Sequence, residues 1–157
     1  MKVLPLRTTF NQQGAARPSG ALLGQCEQTV RTVAGRSVFE LKPRSGGTGR
    51  HLLYLHGGAF ILSITDMHWR FIGKLVEQLG FSVTVPLYPL APEQKAPETF
   101  AMLNELYSEL IQRIDPKQLV VMGDSAGGHL CLSTLLQARE AGRAQPGAAV
   151  LLSPALA

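Results

Sequence analysis

The chain has 157 residues, room for one domain built around one core. Hydrophobic residues make up 45% and charged residues 17%, a balance that excludes a disordered or purely solvating chain. The net charge of +4 comes from lysines and arginines scattered along the sequence, and no basic cluster is interleaved with aromatics, so nucleic acid is not an expected partner.

Residues 1–22 read as a polar lead-in with room for one short helix; Gly14, Pro18, Ser19 and Gly20 interrupt it. Arg7 and Pro5 cut short any signal-like apolar core, and no apolar run reaches membrane-spanning length. The expectation is a cytoplasmic protein with no membrane span. The single domain is expected over 23–157. Gln25 to Val33 alternates weakly, Ala34-Gly35-Arg36 makes a turn, and Ser37 to Leu41 forms a second strand, which together predict an antiparallel hairpin. Pro43 to Gly49 is a glycine-rich loop. His51 to Leu55 is a compact apolar run, the pattern of a strand covered on both faces.

After that strand comes His56-Gly57-Gly58-Ala59-Phe60. Thr65 or Asp66 caps a helix in which Trp69, Ile72, Leu75, Val76 and Leu79 recur at helical spacing, and Gly80 ends it. Phe81 to Val85 is the next strand. A proline-stiffened loop, Leu87-Tyr88-Pro89-Leu90-Ala91-Pro92-Glu93, follows it. Glu98 to Ile114 carries one apolar stripe of Phe100, Leu103, Leu106, Tyr107, Leu110 and Ile114, which predicts a helix packed on the core. Leu119 to Met122 is a strand, Leu130 to Ala141 reads as helix, and Ala148 to Leu152 is a final strand. Strands alternating with helices imply a mainly parallel sheet of about six strands with helices on both faces.

The chemistry concentrates at Gly123-Asp124-Ser125-Ala126-Gly127-Gly128-His129. A strand meets a tight turn and then a helix, with Ser125 at the apex. The pattern Gly123-x-Ser125-x-Gly127 is that of a nucleophile elbow, in which the flanking residues press together and only small ones fit. Gly57 and Gly58 let the earlier loop turn backbone N–H groups toward a ligand. Acyl transfer needs such donors where a carbonyl oxygen becomes an oxyanion. The expected oxyanion hole is Gly57, Gly58 and Ala126, supported by His56, Gly123, Asp124, Gly127 and Gly128, with Ser125 as nucleophile.

Three segments carry a family resemblance: His56-Gly57-Gly58-Ala59-Phe60, Tyr88-Pro89-Leu90-Ala91-Pro92-Glu93 and Gly123-Asp124-Ser125-Ala126-Gly127-Gly128-His129. In order and spacing they resemble the hormone-sensitive-lipase-like branch of the α/β-hydrolases over roughly residues 25–157. The resemblance implies a three-layer α/β sandwich, a Ser-Asp-His triad, no cofactor or metal, and a small-molecule carboxylic ester, often with a short or medium acyl chain. Many relatives carry asparagine at the position of His129.

In the family the triad acid and histidine follow the serine in the chain, after later strands. No position here matches either, so the expected fold is incomplete on its C-terminal side, with a weak or inactive site and an apolar sheet edge at Ala148–Leu152 that invites self-association. Of the histidines, His56 is expected to order its loop, His51 to open a buried strand, His68 to be exposed, and His129 to lie a helical turn beyond Ser125. Asp66 and Asp124 read as local hydrogen-bonding groups. The alternative function is a non-catalytic hydrolase-like domain that binds acyl ligands or a partner chain. Cys26 and Cys131 lack metal-ligand spacing, and a buried free thiol is expected for Cys131.

Overall fold

The computed structural model describes residues 14–156. The elements in order are α1 (Gly20–Gln25), β1 (Cys26–Val33), β2 (Arg36–Pro43), β3 (His51–Leu55), α2 (Asp66–Leu79), β4 (Ser82–Pro86), α3 (Ala96–Arg113), β5 (Leu119–Asp124), α4 (Ala126–Glu140) and β6 (Ala148–Leu152). The six strands form one sheet in the order β1-β2-β4-β3-β5-β6. β1 pairs antiparallel with β2, and β2 antiparallel with β4. The pairs β4–β3, β3–β5 and β5–β6 are parallel.

Helices cover both faces, giving three layers. On one face Leu22 of α1 and Trp69, Ile72 and Val76 of α2 pack on Leu52, Tyr54, Val83 and Val85. On the other, Met102, Leu103, Leu106, Tyr107 and Leu110 of α3 and Leu130, Cys131, Leu135 and Ala138 of α4 pack on Leu53, Leu55 and Val121. The strands buried on both faces are those that read as near-continuous apolar runs. Cys26 and Cys131 are free, buried thiols.

Several expectations shift. The described part of the lead-in is docked on the domain: Ala16 donates its N–H to the Ile64 carbonyl (3.2 Å), and its own carbonyl accepts from the Trp69 indole N–H (2.8 Å). Residues 1–13 lie outside the described residues. The short helix falls at Gly20–Gln25, where Ser19 caps it by accepting the Leu22 N–H. α3 starts at Ala96, two residues earlier than expected, because Pro97 suits a first helical turn whose N–H groups need no partner. Its buried stripe includes Met102, while Phe100 and Ile114 are only partly buried. α4 starts at Ala126, four residues before Leu130, so the elbow glycines are helical.

The parallel register sets the site. Tyr54 lies opposite Met122 and Leu55 opposite Gly123, so β3 and β5 end side by side. The loop after β3 and the elbow after β5 therefore emerge together at the carboxyl edge of the sheet, where ligands bind in open α/β folds.

Candidate active site

Ser125 sits between β5 and α4 with φ 48° and ψ −118°, outside the regions an L-residue ordinarily occupies, and is exposed. The surroundings hold it there. Its N–H donates to the Leu152 carbonyl at 2.9 Å, and its carbonyl accepts from the N–H groups of His129 (3.1 Å) and Ala155 (3.0 Å). The turn closes only around small residues. A Cβ on Gly127 would press into the Leu55 and His56 carbonyls, and one on Gly123 would stand 2.5 Å from the Gly127 carbonyl carbon.

The loop after β3 is equally constrained. Gly58 has φ 134°, a conformation closed to other residues, and Ala59 and Phe60 follow with φ of 52° and 64°. The Gly58 carbonyl accepts from Ile61 (3.0 Å) and Leu62 (2.8 Å), and the Phe60 carbonyl accepts from Ala91 N–H at 2.9 Å. His56 is fully buried. Its Nδ1–H donates to the Gly57 carbonyl at 2.7 Å, its ring stacks on Tyr88 at 4.4 Å, and the Tyr88 hydroxyl donates to the His56 carbonyl. Burial lowers the His56 pKa to about 4, so the ring is neutral, with Nε2 as its unpartnered acceptor.

Asp124 joins the two loops. Its Oδ1 accepts from the Tyr54 hydroxyl (2.6 Å) and from Gly57 N–H (3.0 Å), and its Oδ2 faces His68 Nε2 at 3.5 Å. The His68 tautomer follows from its other nitrogen: Nδ1 accepts from Thr65 N–H at 3.0 Å, so the proton is on Nε2, toward Asp124. Burial alone would raise the Asp124 pKa; the hydrogen bonds from His68 and Tyr54, with help from Gly57 N–H, outweigh it and hold the group at about 2.

These contacts revise two expectations. Gly57 N–H, expected in the oxyanion hole, donates instead to Asp124 Oδ1 at 3.0 Å. Among the described residues, the N–H groups that follow Gly57 directly, those of Gly58, Ala59 and Phe60, have no hydrogen-bond partner. Ala126, as first residue of α4, also keeps its N–H free of the helix. His68, expected exposed, is partly buried against Asp124, with a side-chain exposure of 17%. Sequence reading missed it because that proximity comes from the pairing of β3 with β5, not from any local pattern.

His129 does not face Ser125 as a base. Its Nδ1 lies 3.0 Å from the Ala155 carbonyl and its Nε2 3.3 Å from Ser133 Oγ, while its ring stands edge-on to Phe60 at 5.6 Å. His51 bonds Thr84 Oγ1 at 2.7 Å, at the opposite end of β3. Ser125 Oγ has no hydrogen-bond partner among the described residues. Among those residues no group of three His, Cys, Asp or Glu side chains could hold a metal ion, and no helix is long and apolar enough to cross a membrane.

Comparisons with known proteins agree with this geometry. The family model described as alpha/beta hydrolase fold matches residues 52–157. A triacylglycerol lipase of Mycobacterium tuberculosis is 37% identical over 135 residues, covering 85% of this chain and 30% of the lipase. An esterase of Acinetobacter venetianus is 32% identical over 125 residues, covering 79% of this chain and 41% of the esterase. Among solved structures, an esterase/lipase from an uncultured bacterium superposes with a TM-score of 0.77 at 28% identity, covering 90% of this chain and 47% of that one. An HSL-homolog, EstE7 from a metagenome library, gives 0.76 at 28% identity, covering 84% and 46%. The chain thus spans between about a third and a half of the length of these relatives. With the elbow, the glycine loop and the sheet order in place and the family model matched from β3 onward, the chain belongs to the α/β-hydrolase family, among its hormone-sensitive-lipase-like esterases and lipases.

Proposed function

We propose that this chain carries the nucleophile and oxyanion hole of a serine carboxylic-ester hydrolase. The observation that carries the reading is Ser125 itself, an exposed serine held at φ 48° on a strand–helix junction beside backbone N–H groups with no other partner. Ser125 Oγ attacks the ester carbonyl. The carbonyl oxygen becomes an oxyanion that accepts hydrogen bonds from Gly58 and Ala126, with Ala59 N–H the next free donor. Each such donor is worth about 3–4 kcal/mol at the transition state. Collapse of the intermediate expels the alcohol with a proton and leaves an acyl group on Ser125, which water then removes.

The reaction also needs a base. The family resemblance implies a histidine and an acid that follow Ser125 in the chain, and His129 is turned to Ala155 and Ser133 instead. Losing the serine–histidine unit costs about a millionfold in other serine hydrolases, roughly 8 kcal/mol of barrier, while the oxyanion hole retains a residual acceleration. Residues 14–156 by themselves therefore support slow acylation and slower turnover. The unpartnered Ser125 Oγ favours one second reading, a domain that binds acyl ligands or a partner chain without turnover.

The test is hydrolysis of p-nitrophenyl butyrate by the purified chain alongside Ser125→Ala. A rate that falls with the substitution supports the hydrolase; equal rates support the binding domain and reject it.

A further inference from the structure

His68 is the third residue of α2, after the cap Thr65, and its ring faces two ways. Behind it, Nδ1 accepts from Thr65 N–H at 3.0 Å and lies 2.8 Å from the Thr65 hydroxyl, which anchors the ring to the start of the helix. In front, Nε2–H points at Asp124 Oδ2 at 3.5 Å, and the ring stands edge-on to His56 at 5.7 Å. One side chain of α2 therefore meets both the residue before Ser125 and the residue before Gly57.

The two oxygens of Asp124 are held unequally. Oδ1 has the Tyr54 hydroxyl and Gly57 N–H, whereas among the described residues the polar group facing Oδ2 is His68. Asp124 and His68 both line a cleft of about 320 Å3 with Met67, Phe71 and Leu152, so water competes for Oδ2. The terminal torsion of an aspartate is broad, and a carboxylate held through one oxygen turns easily. Such a turn does not leave the loop after β3 in place. A Cβ on Gly57 would fall on Oδ2, so the carboxylate lies directly against Gly57, and its Oδ1 holds the Gly57 N–H. The free N–H groups of Gly58 and Ala59 come next in the chain, and the far end of their loop is tied by Ala91 N–H to the Phe60 carbonyl at 2.9 Å. The donors hang between two anchors, and His68 steadies the first.

We propose that His68 is a positioning residue for acylation: through Asp124 it fixes the loop whose free N–H groups receive the oxyanion. The proposal rests on the reading of Ser125 as nucleophile. It makes the start of α2 a third support of the site, beside the ends of β3 and β5. A displacement of about 1 Å in such donors is enough to cost about a hundredfold in rate, so a long contact at the edge of the site has a large lever.

The experiment follows the p-nitrophenol burst from p-nitrophenyl butyrate, with imidazole as external base, in the full chain and in His68→Gln, His68→Asn and Ser125→Ala. Glutamine at this helix position can accept from Thr65 N–H and still extend an N–H toward Asp124; asparagine can accept from Thr65 but ends short of Asp124. His68→Asn should slow acylation at saturating ester about tenfold to a hundredfold with the half-saturating concentration unchanged, and His68→Gln should stay within about threefold of the parent. Hydrogen exchange at the Gly57 amide should quicken in His68→Asn and not in His68→Gln. Thermal melts confirm that each variant folds, and if His68→Asn does not, His68→Glu replaces it, since glutamate suits the cap but repels Asp124. Equal acylation in the parent and His68→Asn overturns the proposal. An equal loss in His68→Asn and His68→Gln overturns it too, because the ring's packing and not its N–H then matters. The failure of the two claims reads differently. A chain with no Ser125-dependent burst rejects the nucleophile and with it this role of His68, whereas a Ser125-dependent burst untouched by His68→Asn rejects the role alone.

Discussion

Replacing Asp124 tests whether one carboxylate holds the two halves of the site together. In Asp124→Ala the Tyr54 hydroxyl and the Gly57 N–H both lose their acceptor. Tyr54 is 1% exposed, so its hydroxyl has little access to replacement water. An unsatisfied buried group costs about 1–3 kcal/mol, and the Gly57 loss is smaller because the site is half open, which gives about 2–4 kcal/mol in total. Asp124→Asn keeps an oxygen acceptor and loses only the charge, and should cost about 1 kcal/mol. Urea unfolding of the full chain measures both. A double-mutant cycle with Tyr54→Phe isolates the Tyr54–Asp124 bond and should return a coupling of about 1 kcal/mol.

The pH profile gives a second check on the same group. Its folded pKa is lowered from 3.8 to about 2, so its stabilisation is complete above pH 4 and is lost as pH falls through 2. The full shift corresponds to about 2.4 kcal/mol, reduced to about 1 for a side chain that water partly reaches. Asp124→Asn should abolish that step. If Asp124→Ala unfolds at the same urea concentration as the parent, and the cycle with Tyr54→Phe returns zero, the bridge between the loops does not contribute and the reasoning fails.

Other substitutions read separate parts of the structure. Gly127→Ala forces a Cβ into the Leu55 carbonyl, a backbone atom that cannot move aside, and should destabilise by about 3 kcal/mol or more by urea unfolding, with loss of the elbow. Burial lowers the pKa of both His51 and His56 to about 4, so each folds neutral and the unfolded chain takes up the proton first. Stability is full above pH 6.5 and should drop by up to about 3 kcal/mol per histidine on acidification to pH 4, and His51→Gln should remove one share of that drop. Along the edge strand β6, Ala148, Ala149 and Leu152 are exposed, and sedimentation should show self-association that rises with concentration and weakens in Ala149→Lys. A concentration-independent monomer would contradict that reading.

How far the sequence reached depends on how local each feature is. Leu119–Met122 followed by two spaced glycines announced the elbow because strand, turn and helix each have a short-range pattern. The two-faced burial of β3 showed in its unbroken apolar run. α1 was legible only as room for a short helix, because Gly20 read as an interruption; packing of Leu22 on the core places it at Gly20–Gln25. The start of α4 was misplaced for a related reason, since Gly127 and Gly128 are poor helix formers and are tolerated because the turn leaves no room for a side chain. Gly57 was assigned to the oxyanion hole from its place in a glycine pair. Its actual partner, Asp124, is 67 residues away, and only the β3–β5 register brings them together. His68 belongs to the same category.

The central claim is that Ser125 is the group that takes the acyl chain. It is tested most directly by incubating the chain with p-nitrophenyl butyrate, quenching in acid and mapping the modified peptide by mass spectrometry, with and without added imidazole as an external base. The account predicts one butyryl group on Ser125, in higher yield with imidazole and absent from Ser125→Ala. Butyrylation confined to lysines, or identical in Ser125→Ala, would contradict it.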